Sequence, residues 1–196
     1  MEKINFIKTF IPEGQYRQKY EYGDMVVYHI NAEYNKEMNA YECYECTLTK
    51  ATFDETKVRD AFVQFSAKLD ALKLEEAKAE KIAEIAAYDT SDKVNGFILN
   101  GLLVWLDKAT RVGLMNSTTI AKAAGQETTT LWLGGAKLVV DCDKAIQLLS
   151  ALEMYALECF NVTASHKAAV NDLTTIDDVE AYDYKEGYPK MLEMSV

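Results

Sequence analysis

Few side chains in this 196-residue sequence have the type and spacing that chemistry needs. Cys43-Tyr44-Glu45-Cys46 is a CxxC, the spacing of a zinc knuckle or a thiol-exchange pair. It falls in a strand-like run, Tyr41 to Leu48, where residues three apart leave on opposite sides. One sulfur is therefore expected to face a core and the other solvent, which suits neither use. Cys142 and Cys159 are isolated. The two histidines, His29 and His166, are too few for a histidine metal site, and no Gly-x-Ser-x-Gly elbow accompanies them. Asp141 and Asp143 flank Cys142, but the glycine and distal glutamate of an EF-hand loop are missing, so Asp143 is expected to cap a helix. Asp177, Asp178, Glu180 and Asp183 form an acidic run that suits a helix start. Gly134-Gly135 lacks the Lys-Ser or Lys-Thr of a phosphate loop and reads as a turn. The sequon Asn161-Val162-Thr163 lies inside a helical pattern. No catalytic set, no metal site and no cofactor site is expected.

Aromatic residues are the remaining candidates. Trp105 and Trp132 occupy corresponding places in two similar segments. Two indoles on one sheet would make a sugar or peptide platform, but anchoring a core is the commoner use and the expected one. Tyr182, Tyr184 and Tyr188 sit in an aromatic, turn-forming end and are candidate partner contacts.

The elements that would position these residues follow from periodicity. Ile4–Ile11, Met25–Ile30 and Tyr41–Leu48 read as strands, with Asn31–Asn39 a polar turn, so an antiparallel sheet of about three strands is expected. Asp54 then caps a helix carrying Val58, Ala61, Phe62, Phe65 and Leu69, with the two phenylalanines packed on that sheet. Residues 68–87 are strong helix formers with few apolar side chains, which predicts a solvated connector.

The second half says nearly the same thing twice. FILNGLLVWLDKA (Phe97–Ala109) and TLWLGGAKLVVDCDKA (Thr130–Ala145) are each an apolar run bent at Asn-Gly or Gly-Gly and ending in Asp-Lys-Ala. Both predict strand, tight turn, strand, helix. Asp107 caps the first helix, and Ser117 is expected to recap a short second one, Thr118–Ala124. The helix of the second unit runs on through Val170 with an apolar stripe of Ala145, Leu148, Leu149, Leu152, Tyr155, Ala156, Cys159 and Phe160. One hairpin is marginal in water, so the two are expected to pair into a four-stranded sheet covered by both helices. Thr175 fits a capping box, and Leu192, Met194 and Val196 alternate like a tail that adds to a sheet edge. The expected fold is α+β: an N-terminal antiparallel β module with its packing helix (1–70), a helical connector (71–90), and a C-terminal α+β domain (91–196) of two β-hairpin–helix units with a long helix.

Charge narrows the partners. The net charge is −10, with 31 acidic residues among 21 basic ones and no basic patch, which disfavours nucleic acid and membrane surfaces. The start MEKINFIKTFIPEG has no continuous apolar segment, and four cysteines fit a reducing compartment, so a cytoplasmic chain is expected.

From Ala86-Ala87-Tyr88-Asp89-Thr90-Ser91 onward, through the Trp-Leu-Asp-Lys-Ala-Thr-Arg-Val-Gly-Leu-Met run (105–115) to Gly187-Tyr188-Pro189, the sequence resembles a known family. It is similar to phage and prophage proteins carrying domain of unknown function 4376, in the form found in gut Bacteroides-type genomes. The resemblance covers roughly residues 80–190. It implies a tail-associated context, phage tail or fibre proteins as partners, and a place in the host bacterial cytoplasm or the virion tail. It carries no catalytic residue. The expected function is a non-enzymatic tail-associated structural protein working through protein–protein contacts, by a sheet edge, the tyrosine-rich end or the 68–87 helix. A tail or fibre assembly factor absent from the particle is one alternative. A sugar- or peptide-binding module using Trp105, Trp132 and nearby tyrosines is another. A homo-oligomer stays open.

Overall fold

Strand-forming residues crowd the first fifty positions and helix formers the next forty, and the chain folds accordingly. A computed structural model describes residues 4–195. It divides after Lys73 into two compact units, each with its own apolar cluster. The class is α+β.

The first unit is a four-stranded antiparallel sheet of β1 (Ile7–Pro12), β2 (Lys19–Tyr22), β3 (Met25–Asn35) and β4 (Ala40–Thr49), ordered β1-β4-β3-β2. One strand more is present than expected. Edge strand β2, Lys-Tyr-Glu-Tyr, is exposed along its whole length and carries no burial alternation to read. The polar stretch after Ile30 is not all turn. Strand β3 continues to Asn35 past a bulge between Ile30 and Glu33, beside Asn31 at φ +53°. The turn itself follows Asn35, whose side chain accepts from the Glu37 and Met38 N–H groups.

Helix α1 (Glu55–Asp89) starts where Asp54 accepts from the Thr56 and Lys57 N–H groups. Val58 joins Tyr28, Cys46 and Leu48 in the first core. Phe62 and Phe65 meet Phe6 and Tyr44 at ring distances of 5.1–5.5 Å, on the sheet as expected. The CxxC expectation fails in one respect: both sulfurs are buried. Cys46 lies in the core, while Cys43, three residues away on the strand, is on the other face, where Tyr16 stacks on Tyr41 at 4.3 Å.

The second unit begins with the last turns of α1. One face of them is packed and the other is exposed, so the expected solvated connector holds for one face only. Ile85 is buried with Val170 and Val179, and Leu74, Ala77 and Ile82 pack around them. Lys78 Nζ donates to the Asn171 carbonyl (2.8 Å) and Lys81 Nζ to that of Glu180 (3.3 Å). The packed face reads as hydrophilic in sequence because Ala77 and the buried stem of Lys78 stand among its apolar residues.

After α2 (Asp92–Asn95) come β5 (Phe97–Leu99), β6 (Leu102–Val104) and α3 (Lys108–Ala123). Then follow β7 (Thr128–Leu133), β8 (Ala136–Asp141), α4 (Cys142–Asp172), α5 (Ile176–Ala181) and β9 (Leu192–Met194). Both hairpins turn at two consecutive positive-φ residues, Asn100-Gly101 (50°, 82°) and Gly134-Gly135 (59°, 82°). That is the type I′ requirement. The four-stranded pairing does not form. Strands β7 and β8 stand alone, and β5 has β6 on one edge and β9, parallel, on the other. Of the alternating tail, Leu192–Met194 does add to a sheet edge, as the alternation suggested, and Val196 lies outside the described residues. The hairpins meet by side chains instead: Phe97, Leu99, Val104, Leu131, Leu133 and Val140 share one core with Ala145, Leu152, Tyr155 and Cys159 of α4.

Three details differ from the sequence reading. Helix α3 is unbroken, because Asn116 and Ser117 point to solvent and do not compete for its backbone. The α4 cap is Asp141, which accepts from Asp143 and Lys144, while Asp143 sits in the first turn paired with Lys122. Phe160 leaves the apolar stripe and faces outward. Thr175 caps α5, as the capping box implied.

Both glycines hold a left-handed backbone, but a Cβ added at Gly134 would also meet Val104 at 3.1 Å, whereas one at Gly135 faces open space. Gly134→Ala should therefore lower stability by about 1–3 kcal/mol in urea unfolding, and Gly135→Ala by less. Equal losses would show that the two hairpins do not press together there.

Candidate functional site

A capped helix start places the first side chain of the site. Asp107 accepts from the Thr110 N–H (2.8 Å) and hydroxyl (2.7 Å), and this local bonding holds its carboxyl below the usual range. One turn on, Arg111 is only 8% exposed. Its Nε donates to Glu153 of α4 (2.8 Å) and its Nη1 to the Leu106 carbonyl (2.7 Å). The guanidinium thus ties α3 to α4 and to the end of the first hairpin.

Beside this tie opens a groove of about 600 Å³. Trp105, Leu157 and Phe160 form its apolar wall. They are 42%, 50% and 59% exposed and lie together at one concavity. Asp89, Asn95, Arg111 and Glu153 line its polar side, with Asp107 and Lys108 at the α3 end.

Of the expected contact residues, the groove holds Trp105 alone. Trp105 is half-exposed instead of buried in the core. Trp132, 61% exposed on β7 opposite Lys137, is likewise not a core residue and lies outside the groove, so the two indoles do not share it. The tyrosine-rich end is engaged by its own fold. Tyr182 Oη lies 2.8 Å from His166 Nδ1, and the Tyr184 ring meets Tyr88 at 5.6 Å. Tyr188 Oη lies 2.9 Å from the Thr163 hydroxyl, which donates to Asp89 (2.8 Å). His166 Nε2 faces the Glu186 carbonyl at 2.9 Å.

The sequence reading missed Arg111, Glu153, Leu157 and Phe160 as a group. One signal was present. Beyond the buried positions Leu149, Leu152, Ala156 and Cys159, α4 repeats large apolar residues at Met154, Leu157 and Phe160, three apart, which is a second apolar stripe. Arg111 and Glu153 are 42 residues apart and give no local pattern.

In the first unit, rings run in contact from Tyr34 through Tyr41, Tyr16 and His29 to Tyr20. His29 is buried, with Nδ1 2.5 Å from the Arg17 carbonyl and Nε2 3.2 Å from Glu45. Burial pushes the Cys43 and Cys159 thiols up and that of Cys46 up to about 11, and it raises Tyr155 as well. Such thiols stay protonated at neutral pH, which makes them weak nucleophiles and ligands. Among the described residues no three His, Cys, Asp or Glu side chains are grouped to hold a metal, and no helix is long and apolar enough to cross a membrane.

By fold and surface, this is an α+β protein with an aromatic-walled groove beside the packed helices α3 and α4. The family model for domain of unknown function DUF4376 matches residues 76–186, and the chain belongs to that family. The matched stretch includes every groove residue named above, along with His166, Tyr182 and Tyr184; Tyr188 lies just past it. No curated protein and no solved structure matches the chain.

Two outcomes follow from the buried groups. A thiol whose folded pKa is raised contributes stability that is complete below its unfolded value near 9 and lost as pH rises through about 11. The urea midpoint should fall across that window, and less so in Cys46→Ala; a rapid thiol–disulfide reaction of the native chain at neutral pH would contradict the burial. Arg111→Met should cost about 2 kcal/mol in the same assay. That is below the ~3–5 of a fully enclosed pair, because Glu153 keeps some solvent.

Proposed function

We propose that the chain is a non-enzymatic, tail-associated component of a phage or prophage, working by protein–protein contact. The resemblance of residues 80–190 to prophage tail-associated proteins supplies the context. The observation that carries the contact role is the groove wall, where Trp105, Leu157 and Phe160 stand open together. Large apolar side chains gathered at one solvent-facing concavity mark contact surfaces more often than they occur by chance. Tail or fibre proteins are the partners on this reading, met in the host cytoplasm during assembly.

An assembly factor is the second reading within the same class, and the groove supports it equally. A sugar- or peptide-binding module is a further reading, favoured by the half-exposed indole of Trp105 in a groove with amide and carboxylate neighbours. The separate position of Trp132 weakens the two-indole version of it.

Quantitative mass spectrometry of particles purified from an induced host separates the two readings within the first class. A structural component appears in fixed copy number per particle. An assembly factor is missing from particles and comes down from the lysate with an unassembled tail protein. Absence from both fractions would remove the tail proposal.

A further inference from the structure

We propose that the α3–α4 groove binds an extended polypeptide segment that places an apolar side chain on Trp105, Leu157 and Phe160 and a basic side chain on Glu153 and Asp89. This rests on the reading of the chain as a contact protein, and not on a place in a tail.

Size and wall chemistry come first. A concavity of about 600 Å³ falls within the range of formed binding sites and exceeds what one water cluster needs. Its apolar wall mixes two aromatic rings with the branched aliphatic Leu157. A sugar ring stacks on a single flat aromatic face. An aliphatic surface set among rings suits an inserted leucine, methionine or phenylalanine better.

Charge then selects the neighbour of that anchor. Three carboxylates face two cations among the lining residues. The buried one is a poor receptor for an incoming acid, and the other lies at the α3 end of the groove next to a carboxylate. Arg111 is buried and spends Nε on Glu153 and Nη1 on the Leu106 carbonyl. Lys108 stands exposed beside Asp107. The carboxylates retain capacity. Glu153 uses Oε1 and Asp89 uses Oδ1 within the chain, and among the described residues no hydrogen bond reaches Glu153 Oε2 or Asp89 Oδ2. The open faces of Trp105 and Phe160 attract a cation as well. A guanidinium therefore finds a carboxylate edge and a ring face in one place, and the chain's net charge of −10 draws a basic partner toward it.

The test uses the full chain carrying Trp132→Phe, which leaves Trp105 as the sole tryptophan. The probes are end-blocked pentapeptides with leucine followed two residues on by arginine, glutamine or glutamate. Trp105 emission and calorimetry read binding. The arginine peptide should saturate the signal and bind about tenfold more tightly than the glutamine peptide, with the glutamate peptide weakest. The advantage should shrink between ~0.05 and ~0.5 M salt. Phe160→Ala, at an exposed position that leaves the core intact, should weaken all three peptides. Glu153→Gln should remove most of the preference for arginine while leucine-dependent binding persists. Equal affinity for the three peptides, or no saturable binding by either readout, overturns the proposal. So does saturation by a methyl glycoside where the peptides fail. None of these failures changes the copy number found in particles, so the tail reading stands or falls separately.

Discussion

Neither glycine-bent hairpin of the second unit can bury its own apolar side chains, and helix α4 is the surface that solves this for both. Strands β5 and β6 have three residues each, too few to form an independently stable ribbon. Phe97, Leu99 and Val104 from one hairpin and Leu131, Leu133 and Val140 from the other close on Leu152, Tyr155 and Cys159. The shared interior accounts for the similar wording of the two segments. Each needs an apolar inward face, a turn that tolerates positive φ, and an acidic residue to start the helix that follows.

Polar groups inside this packing fix its edges. The Val94 carbonyl receives the Tyr155 hydroxyl at 2.6 Å and the Cys159 thiol at 3.3 Å, which pins the short α2 turn onto α4. The Asp89–Thr163–Tyr188 chain holds the C-terminal segment against the same helix, and from there the tail reaches β5. Buried polar groups are costly unless paired, so these contacts specify one arrangement where apolar packing alone would allow several. Thr118 Oγ1 is the exception, buried without a partner among the described residues.

The groove is a consequence of how α3 is attached. Arg111 fastens the start of α3 to α4 at Glu153, and the helix surface next to that tie is left uncovered. Leu157 and Phe160 would be ordinary core residues if another element lay over them. They stand exposed beside an indole and two carboxylates that each keep an oxygen free of hydrogen bonds among the described residues.

Much was legible in the sequence because it depends on neighbours in the chain. Caps at Asp54, Asp107 and Thr175, the two type I′ turns, the helix periods and the α+β class all follow from contacts a few residues apart. Strand β2 and the length of β3 escaped notice because an exposed edge and a bulge leave no alternation in burial. Tertiary structure alone decided the remainder. Whether two hairpins pair through backbone or through side chains depends on which edge the distant strand β9 takes. Whether a lysine-rich helix is solvated depends on the carbonyls that receive its lysines about a hundred residues away. Whether Trp105 and Phe160 are core or surface depends on what fails to cover them. Local hydrogen bonds and backbone torsions are written in adjacent residues, while burial is a property of the packed whole.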